Sequence, residues 1–318
     1  MATTTPLTMW SVVIPTYNRL PILQKCLRAM EAQDFEQPYE IVVVDDGSTD
    51  RTIDFLQAHA DEFPHVRLFQ QDHGGAAQAR NLGIEVSAGE IIVFIDSDLV
   101  VIPSFLTAHH QALSQAASQT KAGNAPVFTY GRVINTCNFD DPTSEPFKVT
   151  DMSRAFFATG NVAIAKEHLL KAGLFDLAFR QYGWEDLELG VRLKKMGLKL
   201  IPCPKAIGYH WHPAFDLAQI PRLIEVEQQR ARMGVIFYQK HPTWEVRLMI
   251  QMTWLHWLLW GLLSVGGLLN ERTMRPLLSW LIAQNKPQLA LELARIFLNW
   301  YNVKAVHQAY REMTAVKS

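Results

Sequence analysis

The sequence predicts an α/β fold, with a mainly parallel sheet flanked by helices and a C-terminal α-helical region. Short apolar strands alternate with helical segments over the first hundred residues, and helical patterns dominate from Ile220 onward. Polar residues also follow three of the predicted strands. Ligands collect at the carboxyl ends of strands in such sheets, so these polar residues are the first candidates for a site.

The individual elements follow from the hydrophobic pattern. Short β-branched runs predict strands, and apolar residues three and four apart predict helices. The predicted strands are Trp10–Pro15, Tyr39–Val44, Val66–Phe69, Ile91–Ile95 and Pro126–Ile134. The predicted helices are Leu20–Gln33, Thr52–Ala60, Ala76–Val86 and one that begins near Glu185.

Composition bounds the class and the domain organisation. A net charge of −1 over 318 residues gives no sign of nucleic-acid binding. Three scattered cysteines without a Cys-x-x-Cys pair fit a reducing compartment, and we expect no signal peptide at the N-terminus. A composition change near Pro213 predicts a domain over residues 1–215, with halves of about 1–100 and 101–215, and a helical region over 216–318.

The fourth predicted strand ends in two aspartates, Asp96 and Asp98, only one residue apart. Two carboxylates this close repel each other, and moving both of them out of water costs free energy. A divalent cation with a bound phosphate would offset that repulsion, because such cations prefer hard oxygen ligands. The pair predicts a Mn²⁺ or Mg²⁺ site, although a solvated turn would explain an isolated Asp-x-Asp.

Two common α/β classes fit poorly. The stretch VVVDDGSTD supplies a turn and a helix cap that any α/β protein could contain. A response regulator disagrees with the length of the chain and with the lack of a second phosphoacceptor pattern. A dinucleotide-binding domain would carry Gly-x-Gly-x-x-Gly after the first strand, where this chain has Pro15-Thr16-Tyr17-Asn18.

Four stretches occur in order at strand-sized spacings: VVIPTYNR, IVVVDDGSTD, GGAAQARNLGIEVSAGE and FIDSD. In this combination the chain resembles the family 2 glycosyltransferases, over roughly residues 10–213. The resemblance implies the GT-A fold, with a Rossmann-like half that binds a nucleotide-sugar and a second half that binds the acceptor.

The resemblance implies a nucleoside site after the first two strands. Pro15 and Thr16 would lie beside the nucleoside, with Pro15 in backbone contact, and Tyr17 would lie against the base. Asp46 would accept a hydrogen bond from a uracil imide, and Asp45 would support the turn.

The resemblance also implies a metal and diphosphate site. Asp98 would ligate the cation, and Asp96 would reach the ribose or the cation's shell. In IGYHWHP, extended backbone puts His210 and His212 on one side. Several GT-A enzymes use a histidine here, so we favour His210 as a ligand with His212 nearby, and packing is the alternative. Some relatives place a basic residue near Gly75, and Arg80 is expected to replace it at the diphosphate.

The acceptor side resembles two motifs. Gly183-Trp184-Glu185-Asp186 before an amphipathic helix is similar to the family's acceptor motif and to the W-G-W-E-D stretch of β-1,4-galactosyltransferases. Asp186 would be the general base, Glu185 would hold an acceptor hydroxyl, and Trp184 would face a sugar ring. The alternative is that both acids only cap a helix. Thr159–Ile164 matches the pocket floor, with Gly160 and Asn161 near the acceptor, although a plain turn explains it equally.

The C-terminal region contains an uncharged apolar run, Leu248–Leu269, long enough to span a bilayer. Tryptophans in mid-run, and a tail from Asn270 with seven bases and three acids, argue against a simple crossing. We expect an in-plane or re-entrant helix on the cytoplasmic leaflet. A buried helix of a soluble domain, or a dimer interface, remains the alternative.

Together these patterns predict an inverting, metal-dependent hexosyltransferase. Its donor would be a UDP-sugar, and its acceptor a hydroxyl of a glycan or a lipid-linked molecule, as in cell-envelope polysaccharide or glycolipid synthesis. A sugar nucleotidyltransferase is the first alternative, but it needs a Gly-rich basic loop after the first strand. The second is a scaffold without catalytic activity, which the intact acidic pairs disfavour.

Overall fold

The structure is a computed structural model that describes residues 8–119, 126–151 and 155–315. The chain divides into two compact units. The first contains the described residues up to Leu177 together with Glu185–Pro213. The second contains Ala178–Trp184 and the described residues from Ala214 onward.

The first unit is built on a mixed sheet, to which the described residues contribute eight strands in the order β3-β2-β1-β4-β7-β6-β8-β5. The strands are β1 Trp10–Thr16, β2 Tyr39–Asp45, β3 Val66–Gln70, β4 Ile91–Ile95, β5 Leu99–Val101, β6 Val127–Thr136, β7 Asn161–Ala165 and β8 Lys199–Trp211. Strands β1 to β4 pair in parallel, as do β6 and β8, whereas β7 and β5 pair antiparallel to their neighbours. The predicted α/β class is confirmed.

Helices cover both faces of this sheet, because alternate residues of each buried strand point to opposite sides. On one face Val12 and Ile14 share a core with helices α1 and α4, and on the other Val13 shares a core with α3, α5 and α6. The helices are α1 Leu20–Glu31, α2 Thr52–Ala58, α3 Ala76–Val86, α4 Phe105–Gln119, α5 Lys166–Ala172 and α6 Glu185–Lys195.

Helix α3 lies unusually close to the sheet. A Cβ added at Gly83 would lie 2.4 Å from a methyl group of Val13, so only glycine fits there. The close approach buries Arg80, one turn earlier on the same helix, at the edge where the parallel strands end.

The second unit is helical, as predicted. Its helices are α7 Ile220–Lys240, α8 Trp244–Met249, α9 Trp254–Leu263, α10 Arg275–Ala283 and α11 Pro287–Ala315. The apolar run 248–269 is not one helix, because Thr253 caps a new helix and Gly266 and Gly267 adopt positive φ. In the described part of the chain, no helix is both long and apolar enough to cross a membrane.

Candidate functional site

The register of the sheet brings the first candidates together. Thr16 at the end of β1 pairs with Asp45 at the end of β2. Strand β4 lies on the other side of β1, and Asp96 follows it directly. Three polar strand ends therefore meet at one edge, because the strands run parallel.

Hydrogen bonds fasten the loop after β1 to the turn after β2. The backbone N–H of Asn18 donates to Ser48 Oγ at 2.9 Å, and Thr49 N–H donates to Asn18 Oδ1 at 2.7 Å. Asp45 Oδ2 accepts from the N–H of Ser48 at 2.9 Å, which is the turn-supporting geometry expected for this residue. Asp45 Oδ1 and Thr16 Oγ1 are buried and have no hydrogen-bond partner among the described residues.

Asp46 closes a second loop onto this turn. Its carboxylate accepts from the side chain of Gln71 at 2.6 Å and from the N–H groups of Gly74 and Gly75 at 2.8 and 2.9 Å. Three donors therefore already occupy the oxygens that were expected to meet a uracil imide. Asp45 Oδ1 has no such donor, and Asp45 is fully buried beside this turn.

An exposed aromatic pair stands beside this turn. Tyr17 is 43% exposed and stacks on His73, with ring centroids 4.2 Å apart and an angle of 25° between the rings. Nδ1 of His73 lies 2.9 Å from an oxygen of Asp46, which fixes the imidazole. Sequence reasoning missed His73, because it lies in a loop far along the chain and no local pattern marks it.

Two carboxylates and one imidazole form the candidate metal centre. Ligand atoms of Asp96, Asp98 and His210 all lie within 4.8 Å of one another. Antiparallel pairing of β5 with β8 sets Leu99 opposite His210, which explains why residues so distant in sequence meet. Two carboxylate oxygens and an imidazole nitrogen suit Mn²⁺ or Mg²⁺, with oxygen preferred by both ions, so the residues present fit a divalent cation.

Asp98 and His210 form an ion pair, with 3.1 Å between Oδ1 and Nε2. Burial alone would lower the pKa of His210, but the hydrogen bond and charge of Asp98 outweigh it and raise that pKa. Burial likewise opposes the ionised form of Asp98, yet His210 and Arg19 lower its pKa overall. His212 lies beside His210, with ring centroids 6.1 Å apart, and its Nδ1 lies 3.6 Å from Cys137 Sγ.

Arg80 joins the metal centre to the predicted acceptor side. Its Nη2 lies 2.9 Å from Asp96 Oδ1, and its Nη1 lies 3.1 Å from Glu185 Oε1. The guanidinium is almost fully buried, because two acids compensate its charge. The expectation that Arg80 meets the diphosphate gains no support, since both of its amino groups already bind carboxylates.

Asp186 is held in the first turn of α6, next to Glu185. Its Oδ1 accepts from the N–H of Leu187 at 2.7 Å. Burial, and then the negative charge of Glu185, raise the pKa of Asp186 to about 7, although Arg80 opposes the shift. A carboxylate with this pKa can accept a proton near neutral pH and release it again.

The remaining predicted acceptor residues differ in their surroundings. A Cβ on Gly160 would lie 3.3 Å from Asp96 Oδ2, so this glycine borders the metal centre. Asn161 is buried in the sheet, where its Oδ1 meets His109 Nε2 at 2.9 Å and its amide donates to the carbonyls of Arg132 and Ala206. Its polar atoms hold strands together, which favours a structural role.

Trp184 belongs to the second compact unit, whereas Glu185 and Asp186 belong to the first. Its indole N–H donates to the carbonyl of Arg230 at 2.8 Å, and its ring packs against Phe237. These contacts fix the indole on α7. The contact of Trp184 with an acceptor sugar stays a prediction.

The sequence model of the family described as Glycosyl transferase family 2 matches residues 11–171, about half of the chain. The chain is 29% identical over 241 residues to a chondroitin synthase of Pasteurella multocida, covering 64% of this chain and 25% of that protein. It is 30% identical over 224 residues to a validoxylamine A glucosyltransferase of Streptomyces hygroscopicus, covering 60% of this chain and 52% of that protein. The chain thus spans a quarter to half of the length of these two relatives.

Solved structures show the same fold. The mannosyltransferase PcManGT from Pyrobaculum calidifontis, in complex with GDP-Man and Mn²⁺, aligns with a TM-score of 0.59 at 19% identity, over 97% of this chain and 87% of that chain. S. aureus TarS 1–349 in complex with UDP aligns with a TM-score of 0.51 at 15% identity, over 96% and 91%. At these identities the likeness establishes the architecture alone.

Proposed function

Because this chain belongs to glycosyl transferase family 2, we propose that it is an inverting, metal-dependent hexosyltransferase. The observation that carries the proposal is the convergence of Asp96, Asp98 and His210, linked through Arg80 to Glu185 beside Asp186. A cation-binding cluster and a carboxylate of raised pKa, joined by one buried guanidinium, are the parts that a single displacement on a sugar nucleotide needs.

The proposed donor is a UDP-sugar. Tyr17 and His73 offer an exposed aromatic face to a nucleobase, beside the turn that Asp45 supports. The exposed carboxylate edge of Asp96 then lies toward the ribose and diphosphate. UDP is preferred to GDP here only through the family resemblance of the Asp45-Asp46-Gly47-Ser48 turn.

Carboxylates act at both ends of the reaction, Asp96 and Asp98 at the leaving diphosphate and Asp186 at the acceptor hydroxyl. A divalent cation held by Asp96, Asp98 and His210 would supply Lewis-acid stabilisation of the charge that builds on the leaving diphosphate. Asp186 accepts the proton of the acceptor hydroxyl while that oxygen bonds to the anomeric carbon. The bond from that carbon to the diphosphate breaks at the same time, and the nucleoside diphosphate leaves with the electron pair. One displacement inverts the anomeric centre, so no enzyme nucleophile is needed.

We also propose that the second unit binds an anionic membrane surface, at the cytoplasmic face, and that the acceptor is a glycan or a lipid-linked molecule. One side of α9 is entirely apolar, and its residues are 44–69% exposed: Trp254, Leu255, Leu258, Leu259, Leu262 and Leu263. A patch of this kind marks an interaction surface, and tryptophan favours the bilayer interface.

Charge selects the lipid surface over a second protein copy. Residues 250–290 contain three exposed bases, Arg272, Arg275 and Lys286, and one acid. That acid, Glu271, accepts from the hydroxyl of Tyr301 at 2.5 Å, and the three bases outnumber it, so the segment carries net positive charge for acidic headgroups. A symmetric dimer would instead bring these positive charges together.

A donor panel tests the proposed activity most directly. The protein is mixed with Mn²⁺, a lipid-linked or oligosaccharide acceptor mixture, and UDP- or GDP-sugars in turn, and release of the nucleoside diphosphate is measured. Release from one UDP-sugar, lost with EDTA, is the expected result. Release from none of them, with intact folding, would refute the transferase proposal.

A further inference from the structure

Arg19 combines a fixed backbone with a partly exposed side chain. The preceding residue, Asn18, adopts a positive φ of 53° and is bound to Ser48 and Thr49. The carbonyl of Arg19 itself accepts from the N–H of Leu23 at 3.0 Å and so begins α1. The side chain is nonetheless 42% exposed, so its guanidinium can move while its Cα cannot.

The guanidinium of Arg19 now occupies the metal centre. Its Nη1 lies 2.5 Å from Asp98 Oδ2, and the other oxygen of Asp98 faces His210. Both oxygens of this predicted ligand are therefore engaged by positive or hydrogen-bonding groups. A cation that binds Asp98 through Oδ2 has to displace Arg19 first.

Arg19 also stands where a diphosphate needs positive charge. Its backbone borders the turn at Ser48, which is the proposed nucleoside side, and its side chain reaches the cation side at Asp98. A diphosphate joins a nucleoside to a bound cation, so it has to pass between these two points. Arg80 is the other positively charged side chain considered for the diphosphate, and it is buried between Asp96 and Glu185.

We propose that Arg19 is a positioning residue with two alternative partners. Before the cation binds, it pairs with Asp98 and weakens cation binding. After the cation binds, its released guanidinium pairs with the donor diphosphate. This inference rests on the proposed function, and it adds a coupling between the cation and the nucleotide that the proposed reaction does not require.

The two partners give Arg19→Gln effects of opposite sign. Without nucleotide, the variant loses a competitor for Asp98, so Mn²⁺ should bind about three- to tenfold more tightly. At saturating Mn²⁺, the variant lacks a charged partner for the diphosphate, so the nucleotide should bind about tenfold more weakly. A residue with a merely structural role would weaken both.

The experiment measures free Mn²⁺ by electron paramagnetic resonance without nucleotide, and then the affinity for UDP and GDP by calorimetry with Mn²⁺ present. Arg28→Gln is the matched control, because Arg28 lies on the same helix and pairs with Glu62 at 2.6 Å. It should change neither affinity. Arg19→Lys keeps the charge and should fall between the wild type and Arg19→Gln in both measurements.

Tighter Mn²⁺ binding together with weaker binding of the preferred nucleotide supports the inference. Unchanged or weaker Mn²⁺ binding in Arg19→Gln, with a wild type that binds both ligands, overturns the role of Arg19 and leaves the proposed function standing. A wild type that binds neither Mn²⁺ nor either nucleotide overturns the proposed function, and this inference with it. Thermal melting of each variant verifies that the fold is intact.

Discussion

The polar edge of the sheet contains a buried charge, whereas the exposed side of α9 presents apolar side chains to solvent. At the sheet edge, Arg80 carries its charge into the interior, where Asp96 and Glu185 compensate it. On α9, leucines and tryptophans that could be buried face outward. Buried charge and exposed apolar surface both lower stability, so each marks a region shaped by something other than folding. In the proposed function, the first region binds a charged small ligand and the second an apolar surface.

The largest expected effect tests the chemistry of the polar edge. Asp186→Asn should lower the transfer rate at least about 10³-fold, because the amide cannot accept the proton of the acceptor hydroxyl. The affinities for UDP and Mn²⁺ should stay within about threefold of wild type, since the metal centre is untouched. Single-turnover transfer and calorimetry measure the two quantities. Glu167→Gln, which removes an exposed acid paired with Lys171 on α5, is the control.

A loss of UDP binding in Asp186→Asn would contradict this division of roles. Asp186 would then hold the donor site together rather than act on the acceptor.

The second effect concerns the cation. Asp98→Asn should weaken Mn²⁺ binding by about 100-fold, because it removes the charge of a predicted ligand that is one of only two carboxylates in the cluster. Calorimetric titration of Mn²⁺ measures the loss, and Glu62→Gln serves as a control far from the cluster in sequence. Full Mn²⁺ affinity in Asp98→Asn would place the cation elsewhere.

The third effect is a pH dependence of stability with a definite sign. Asp186 has a folded pKa of about 7 against an ordinary value of 3.8, so between these pH values the folded state keeps a proton that the unfolded state has lost. Its contribution to the free energy of unfolding therefore falls as pH rises from about 4 to 7. Asp186→Asn cannot ionise, so it should exceed wild type by up to about 4 kcal/mol at pH 8 and match it near pH 4. Denaturant unfolding without metal at both pH values checks the difference, and equal stability at pH 8 would contradict the raised pKa.

The smallest effect concerns the apolar side of α9. Replacing Leu258 and Leu262 by glutamate should lower binding to vesicles with acidic lipids about tenfold or more, because two exposed apolar side chains that would enter the bilayer become charged. Flotation with acidic and with neutral vesicles measures it, and Gln288→Glu on α11 is the control for added negative charge. If the wild type floats with neither vesicle and instead forms a dimer that the double variant abolishes, the surface binds a second copy of the chain.

The sequence predicted five of the eight strands that the described residues contribute, because strands such as Ile91–Ile95 are continuous apolar runs between turn residues. It did not predict β5, β7 and β8 as strands. It also predicted the grouping of Asp96 with Asp98, since residues only two positions apart in a chain cannot lie far from each other. It could not predict the bridge from Arg80 to Glu185, which joins residues more than a hundred positions apart through tertiary packing.

Local geometry also separates residues that looked alike in the sequence. Asp45 and Asp46 are adjacent acids, yet one keeps a free buried oxygen and the other is saturated by the loop at Gly74 and Gly75. Arg19 stood within the recognised PTYNR stretch and could have been considered from its position alone. Its pairing with Asp98 depends on the side-chain path, which no sequence pattern encodes.

The most direct test of the account is the nitrogen coupling of bound Mn²⁺, measured by electron spin-echo envelope modulation on the wild type in the presence of UDP. The account predicts one tightly bound Mn²⁺ with a nitrogen coupling from an imidazole, which disappears in His210→Gln and persists in His212→Gln. A bound ion whose spectrum contains no such coupling, or one that His210→Gln leaves unchanged, would contradict the metal centre on which the proposed function depends.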